Sequence, residues 1–332
     1  MSYLEPIDRK LLSVMQDAFP LVPRPFEAIS STIGITESEV IRRARDLKAQ
    51  GIIRRVRAVF NSKRLGYQSG LAAMQVPPKR LGAVANSVSK HSGVSHNYGR
   101  EHRYNLWFVL TIPNSEDMQR EIDSLAQSAR ATNAILLPSI RTFKIKVRLD
   151  FSDEQCRVQS EQGDIQEARS LDLAEAIALS TSEINVIRSL QEDLPLIPEP
   201  FLELSHSIGL DAEGFIEIAK MLKDRGIMRR YTAVVNHYKV GVGANAMSCW
   251  IVPSSKVEHV GTTMAGFPYV SHLYERRTNP DWPYNIYAMI HASSRDECNE
   301  FASRMADASG ARDYELLHST KEYKKEGTKY FA

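Results

Sequence analysis

Cysteine is scarce in this 332-residue chain, and long apolar runs are missing. Cys156, Cys249 and Cys298 are odd in number and lie far apart, which argues against a disulfide framework and against a zinc knuckle. No apolar run approaches the roughly 18 residues that a membrane span needs. The first residues, MSYLEPIDRKLL, also lack the basic region and apolar core of a secretory signal. We therefore expect a soluble protein of the reducing cytoplasm that has no membrane partner.

An excess of charge of either sign is missing as well. The 42 Lys and Arg residues nearly balance the 40 Asp and Glu residues, which leaves a net charge of +2. A committed DNA-binding domain is usually more basic than this, so charge alone leaves the partner open. Hydrophobic residues make up 43% of the chain, which is enough for two to four compact units.

The chain is a tandem duplication. The segment "FPLVPRPFEAISSTIGITESEV", which starts at Phe19, returns as "LPLIPEPFLELSHSIGLDAEGF", which starts at Leu194, an offset of 175 positions. The likeness continues further along, where "VSHNY" (Val94–Tyr98) matches "VSHLY" (Val270–Tyr274). Self-similarity over this length means that one structural unit occurs twice.

Each copy opens with the signals of a helix-turn-helix. Apolar residues at helical spacing predict short helices over Asp8–Gln16 and Phe26–Ile33. Thr36 followed by Glu39 predicts a capping box at the start of a third helix. That helix should end near the glycine of "GIIRRVRAVFN" (Gly51–Asn61), a segment that mixes β-branched and charged residues and that we expect to form a wing hairpin.

The rest of each copy favours an α+β module. In the first copy the expected elements are, in order, a strand, a helix, a hairpin, a helix and a strand, over Ser69–Val76, Arg80–Ser89, Val94–Arg100 with Tyr104–Ile112, Glu116–Ala129 and Ala134–Arg148. This βαββαβ order is ferredoxin-like. We expect the two ferredoxin-like sheets to pack on one another, so that the two halves form an internal pseudo-dimer.

The expected fold class is α+β, a tandem duplication of a winged helix-turn-helix and a ferredoxin-like βαββαβ module. The predicted boundaries are 1–62 and 63–151 for these two domains of the first copy, 152–172 for a polar linker, and 173–237 and 238–332 for the second copy. This combination resembles the Lrp/AsnC family, in which the small second domain often binds amino acids. Such a resemblance implies a transcription regulator as one alternative.

The charges on the predicted recognition helices argue against that alternative. The first copy offers a basic face made of Arg42, Arg43, Arg45 and Lys48. The second copy instead places Asp211, Glu213 and Glu217 near the start of its helix, where they would repel a phosphate backbone. DNA binding is therefore not expected.

The hairpin segment "HNYGREHRYNLWF" (His96–Phe108) crowds proton carriers and anion holders together. Alternate side chains share one face of a regular strand, and here they are His96, Tyr98, Arg100 and His102. Imidazole can donate a proton near neutral pH, and a guanidinium can hold a carboxylate through two parallel hydrogen bonds. The pattern indicates catalysis or the binding of a polyanion.

This hairpin, its counterpart "SHLYERRTNPDWPYNIYAMIH" (Ser271–His291), and the segments "FPLVPRPF" and "LPLIPEPF" resemble siroheme decarboxylases, here with the family's two homologous subunits fused. The resemblance implies that siroheme is the small-molecule substrate and loses two acetate carboxyl groups as carbon dioxide, giving 12,18-didecarboxysiroheme without any required cofactor. The product would pass to later enzymes of heme d1 synthesis, or of an alternative route to heme b. A regulator and a non-catalytic heme-binding protein remain the alternatives.

The resemblance implies a site built from both hairpins. The candidate catalytic residues are the proton donors, which are His96 or His102 in the first copy and His272 in the second, together with Arg100. The candidate carboxylate holders are Arg103, Arg276, Arg277 and the repeated pairs Arg54, Arg55, Arg229 and Arg230, which are otherwise wing residues. The candidate walls and amides are Tyr98, Tyr104, Trp107, Tyr274, Trp282, Tyr287, Asn105 and Asn285. No protein-bound metal is assigned. Because Glu101-His102 is replaced by Arg277-Thr278 in the second copy, we expect unequal half-sites.

Overall fold

The chain folds as two similar halves in a computed structural model that describes residues 4–17, 19–145, 148–151, 157–159, 168, 171–236 and 243–332. Each half begins with three helices. They are α1 (Pro6–Asp17), α2 (Pro25–Ile33) and α3 (Glu37–Ala49) in the first half, and α6 (Thr181–Leu190), α7 (Pro200–His206) and α8 (Ala212–Asp224) in the second. The predicted N-cap is confirmed, because Thr36 Oγ1 accepts a hydrogen bond from the backbone N–H of Glu39 at 3.3 Å.

The predicted wing hairpins are wrong. Each half contributes a single strand, β1 (Ile53–Phe60) or β8 (Met228–Val235), and the two strands pair antiparallel with each other. Val56 and Ala233 lie opposite one another in this two-stranded ribbon and are both buried. Because the buried faces of the two strands join one shared core, the two helix-turn-helix units form one body rather than two separate DNA readers.

The predicted βαββαβ order is confirmed in both halves. The first half continues with β2 (Tyr67–Gln75), α4 (Leu81–Ser89), β3 (Val94–Arg100), β4 (Leu106–Pro113), α5 (Met118–Ala129) and β5 (Asn133–Ile145). The second continues with β9 (Ala244–Trp250), α9 (Val257–Ala265), β10 (Val270–Arg276), β11 (Ile286–Ala292), α10 (Arg295–Ser309) and β12 (Tyr314–Lys325). Alternating apolar residues on the strands send one face to these helices and the other face inward.

The two sheets do not stack on one another as expected but join edge to edge. Strand β5 pairs with β10, and β12 pairs with β3, so that eight strands from both halves close into one barrel. Closure leaves neither sheet with a free edge strand. The two halves therefore form the internal pseudo-dimer that the repeat predicts, and side chains from both copies share one barrel interior.

Two buried arginines join the halves inside the barrel. Arg100 Nη1 donates to the backbone oxygen of Leu317 at 2.7 Å, and Arg276 Nη1 donates to that of Leu137 at 3.0 Å. Each bond runs from one copy to the other, and the two are related by the internal repeat. Both residues were predicted to act on substrate, and here each also satisfies a backbone acceptor of the opposite copy, as buried polar groups require.

The residues that follow β12 attach the barrel to the helix-turn-helix body. The backbone N–H of Glu326 donates to the oxygen of Ser95 at 2.8 Å. Tyr330 is 6% exposed, and its ring centroid lies 5.0 Å from that of Tyr67. Gln191 Nε2 donates to the backbone oxygen of Tyr330 at 3.2 Å. The Tyr330 ring also lies 6.2 Å from that of Phe60 on β1, so this segment connects the β1/β8 ribbon to the barrel.

The segment between the halves is described only in part. Strand β6 (Arg148–Asp150) pairs with β7 (Arg157–Gln159). Most of the predicted linker, 152–172, lies outside the described residues. Within the described part of the chain, the helices are all too short or too polar to cross a membrane.

The fold predicts opposite effects for two glycine substitutions. A Cβ at Gly261 of α9 would overlap the buried ring of Phe143, which comes from the other copy, whereas a Cβ at Gly82 of α4 would meet no atom within 4 Å. We expect Gly261→Ala to lower the free energy of unfolding by about 1–3 kcal/mol through overpacking. The control Gly82→Ala should raise it by up to about 1 kcal/mol, because alanine favours helix.

Denaturation with urea measures both changes. Equal stability of Gly261→Ala and the wild type would show that Phe143 does not pack against α9 across the copies.

Candidate active site

A cluster of ionisable side chains lies at the barrel end that faces the β1/β8 ribbon. Arg54 of β1 donates from Nη1 to Oε1 of Glu322 at 2.8 Å, which links the ribbon to β12. Oε2 of Glu322 accepts from the hydroxyl of Tyr98 on β3 at 3.2 Å. We call this set the mouth cluster, and its members are His96, His272, His291, Tyr98, Tyr274, Arg54, Arg57, Arg230, Glu322 and Lys325.

The three histidines of the mouth cluster come from three strands and two copies. Oγ of Ser271 lies 3.0 Å from Nδ1 of His272 and 2.8 Å from Nε2 of His291. His96 repeats the first contact, since its Nδ1 lies 3.0 Å from Oγ of Ser95. The predicted candidates His96 and His272 are therefore brought into one cluster, held in place by neighbouring serines.

Burial keeps these imidazoles neutral. It lowers the pKa of His96 from 6.5 to about 3, with smaller effects from Lys325, Arg57 and Arg54. Burial and then Lys325 lower the pKa of His291 to about 3, and burial, followed by His291 and His96, lowers that of His272 well below 6.5. His96 and His272 nevertheless keep some accessible surface.

Cations outnumber carboxylates in the mouth cluster. Lys325, Arg54, Arg57 and Arg230 all act on the buried histidines, while Glu322 supplies a negative charge. Charges in such a partly buried setting are weakly screened. The excess of positive charge suits the cluster to an anion with several carboxylates.

The two copies contribute unequal side chains. The repeat aligns Glu322 and Lys325 of β12 with Thr142 and Ile145 of β5. Beside Tyr274, the carboxylate of Asp172 accepts hydrogen bonds from the backbone N–H and Oγ1 of Thr142 at 2.5 and 2.8 Å. The half with His96 therefore carries an extra cation, and the half with His272 is approached by a carboxylate from the segment between the copies.

His102 does not lie with His96, contrary to the prediction from strand parity. Strand β3 ends at Arg100, and His102 Nδ1 accepts from the backbone N–H of Tyr104 at 3.0 Å in the turn that follows. The His102 ring lies 5.1 Å from that of Trp282 at the opposite end of the barrel. The loss of strand geometry after Arg100 is the reason, because the two-residue alternation stops there.

The predicted aromatic walls close that opposite end as a packed plug. Trp107 and Trp282 are each 1% exposed, with ring centroids 5.3 Å apart. Nε1 of Trp282 donates to the hydroxyl of Tyr287 at 2.7 Å, and Nε1 of Trp107 donates to the backbone oxygen of Tyr104 at 2.6 Å. Both indole N–H groups thus have partners within the protein. The predicted contact of these aromatic side chains with a ligand stays a prediction.

Several other predicted residues contact groups of the protein itself. Asn105 and Asn285 each bridge the backbone of a valine in a neighbouring strand end, Val76 and Val252 respectively. Arg103 donates to the backbone oxygen of Asp281 at 2.6 Å. Three candidate carboxylate holders remain. Arg55 lies 3.6 Å from Glu326, and the positive charge of Arg229 acts to lower the pKa of Tyr274. Arg277 is exposed.

Sequence reasoning missed Glu322, Lys325, Arg57 and His291 as members of this cluster. Irregularities in the β3–β12 register lie between Ser319 and Lys321 and between Glu322 and Lys324. They break the simple alternation that would otherwise assign faces. A cation-rich final strand, "TKEYKK", was the available signal.

The basic face of α3 is neutralised within the protein. Arg42 pairs with Glu39 and Asp46, both at 2.7 Å. Arg43 pairs with Glu5 and Asp8 of α1 at 2.8 and 2.9 Å. The guanidinium of Arg45 donates to the backbone oxygen of Leu196 in the other half at 2.7 Å. These pairings leave few free cations on this helix for phosphates.

Two family descriptions match the chain, each of them twice. "Siroheme decarboxylase NirDL-like HTH domain" matches residues 8–54 and 183–229, and "AsnC-like ligand binding domain" matches residues 64–144 and 239–324. Both matches recur in the two halves, in agreement with the repeat.

Similar proteins cover the whole chain or one half of it. A siroheme decarboxylase of Hydrogenobacter thermophilus is 35% identical over 326 residues, 97% of this chain and 94% of its own length. A siroheme decarboxylase alpha subunit of Desulfovibrio desulfuricans is 42% identical over 144 residues, 43% of this chain and 83% of that subunit. The crystal structure of a siroheme decarboxylase NirDL with an iron-uroporphyrin III analogue has a TM-score of 0.73 and 31% identity, covering 98% of this chain and 95% of that one.

The buried imidazoles predict that stability falls on acidification. The pKa of His96 is about 3 in the folded protein and 6.5 otherwise, so between these values the unfolded chain binds a proton that the folded protein does not. The free energy of unfolding should therefore decrease as the pH drops below about 6.5, by up to about 1.4 kcal/mol per pH unit for each such histidine.

Urea denaturation between pH 7.5 and 5 measures this slope. His96→Gln should make it shallower, whereas His259→Gln, on the exposed side of α9, should leave it unchanged. An equal slope in His96→Gln and the wild type would show that His96 is not held neutral.

Proposed function

The chain belongs to the siroheme decarboxylase family, and we propose that it removes two acetate carboxyl groups of siroheme as carbon dioxide. The product would be 12,18-didecarboxysiroheme. The observation that carries this proposal is the mouth cluster, in which imidazoles of both copies lie among arginines and a lysine. A tetrapyrrole with eight carboxylates needs such a surplus of cations at its binding site.

The proposed decarboxylation can proceed without a cofactor. When carbon dioxide leaves an acetate arm, the electron pair can delocalise into the macrocycle, and one proton must then reach the new methyl group. Cations that hold the other carboxylates would orient the reacting arm. We therefore propose a cofactor-independent reaction in which siroheme, with its iron, is only the substrate.

Arg54 and Arg230 supply guanidinium groups from the ribbon, and Tyr98 and Tyr274 supply phenols from the barrel. The guanidinium of Arg276 lies 4.6 Å from the ring centre of Tyr274, and that of Arg100 lies 5.5 Å from the ring centre of Tyr98. These side chains suit a flat anionic ligand held between ribbon and barrel.

Buried Cys249 and Cys298, both free, favour the proposed cytoplasmic location. Transfer of the product to later enzymes of heme d1 or heme b synthesis completes the proposal.

The direct test is anaerobic incubation of the protein with siroheme, followed by mass spectrometry of the tetrapyrrole. We expect the mass to fall by two units of carbon dioxide. An unchanged mass with siroheme still bound would indicate a heme-binding carrier instead, and the enzyme proposal would fail.

The two histidines of the first hairpin should behave differently in that assay. His96→Gln should lower the rate of carbon dioxide loss by about 100-fold, because the neutral imidazole of His96 lies in the mouth cluster and would orient the reacting acetate arm there, yet keep tetrapyrrole binding. His102→Gln, at the aromatic plug, should stay within a few fold of the wild-type rate. The reverse order would relocate the reaction to the plug end of the barrel.

A further inference from the structure

We propose that Lys325 contacts the substrate and delivers the proton that replaces each departing carboxyl group. This inference rests on the proposed function and adds a residue to it. Lys325 is the last residue of β12 and lies opposite His96 in the β3–β12 register. The repeat places Ile145 at the equivalent position of β5, so this cation belongs to one half of the site only.

The irregular register of β12 gives Lys325 this position. Lys324, its neighbour, points to the helices and donates from Nζ to the backbone oxygen of Ser89 at 2.8 Å. Lys325 instead lies with Glu322, whose carboxylate bonds Tyr98 and Arg54. The two consecutive lysines therefore have different surroundings, one on the outside of the barrel and one in the mouth cluster.

Groups from four other elements surround Lys325. They are His96 of β3, His272 of β10, His291 of β11 and Arg54 of β1, with Glu322 on its own strand. Burial lowers the pKa of Lys325 from 10.5 to about 8, Glu322 opposes this change, and Arg54 adds to it. At neutral pH the ammonium group is therefore mostly protonated, yet it is a far stronger acid than an exposed lysine.

The neutral imidazoles are poorer donors. With a pKa of about 3 for both His96 and His291, neither carries a second proton at pH 7 in the ligand-free protein. A general acid works best when its pKa is near the operating pH. Lys325 meets this condition, and the imidazoles can hydrogen-bond the substrate beside it.

The proton balance of the step is simple. The bond between the acetate methylene carbon and the carboxyl carbon breaks, carbon dioxide leaves, and the electron pair stays on the methylene carbon and the macrocycle. An N–H bond of the Lys325 ammonium then breaks as the C–H bond of the new methyl group forms. The neutral amine regains a proton from water, and the same group can serve the second acetate in turn.

Two substitutions separate proton delivery from charge. Lys325→Arg keeps the positive charge but holds its proton too tightly to donate it, and Lys325→Met removes both. We expect Lys325→Arg to bind iron uroporphyrin III within about threefold of the wild-type Kd and to lose at least about 100-fold in the rate of carbon dioxide release. The control Lys321→Met, an exposed position on the same strand, should match the wild type. A fully active Lys325→Arg would overturn proton delivery.

Ligand affinity provides a readout that does not depend on turnover. In the wild type, the affinity for iron uroporphyrin III should fall as the pH rises through about 8, because neutral Lys325 no longer attracts carboxylates. The affinity of Lys325→Arg should stay flat over the same range. An identical pH dependence in both proteins would show that Lys325 does not contact the ligand. Should the wild type release no carbon dioxide, the proposed function fails, and this binding comparison still decides the contact.

Discussion

Pairing of strands between the two copies is the constraint on which the rest of the structure depends. The β5–β10 and β3–β12 pairs close the barrel, and the cross-copy hydrogen bonds of Arg100 and Arg276 lie inside it. His96 and Lys325 come from different copies but are neighbours only because β3 and β12 are paired. Neither half alone could assemble the mouth cluster, so the cluster forms only when the two halves pair.

The site carries an electrostatic conflict that substrate would relieve. Histidines are held neutral and a lysine is made more acidic by burial and by neighbouring cations. The carboxylates of a bound substrate would add negative charge to a cluster in which cations outnumber carboxylates. Binding sites often lower the stability of the folded protein, because side chains placed for a ligand are not placed for the most stable fold.

Much of the fold could be predicted from the repeat and from hydrophobic periodicity, because α3 and the βαββαβ order depend on local signals such as the Thr36 cap. The partner of each strand could not be read in the same way. The β1 segment has the composition of one strand of a hairpin, but its pairing partner is β8 of the second copy. For the site, the motif found His96 and His272. Strand parity failed for His102, which lies beyond the end of β3, and Lys325 was not singled out, because the β12 register is irregular before it. The positions of these residues depend on which distant strands pair, and the local sequence pattern carries no information about that pairing.

The closed barrel has an evolutionary consequence. In a dimer of identical chains, every substitution appears twice, and each edge strand must remain compatible with its own copy. A single polypeptide removes that symmetry, and the covalent connection keeps the two halves at high effective concentration. One half could then acquire Lys325 while the other kept Ile145, because each half pairs with the different half of its own chain instead of with an identical copy. Gene fusion thereby fixes a one-to-one ratio of two diverged partners and preserves their asymmetry through inheritance.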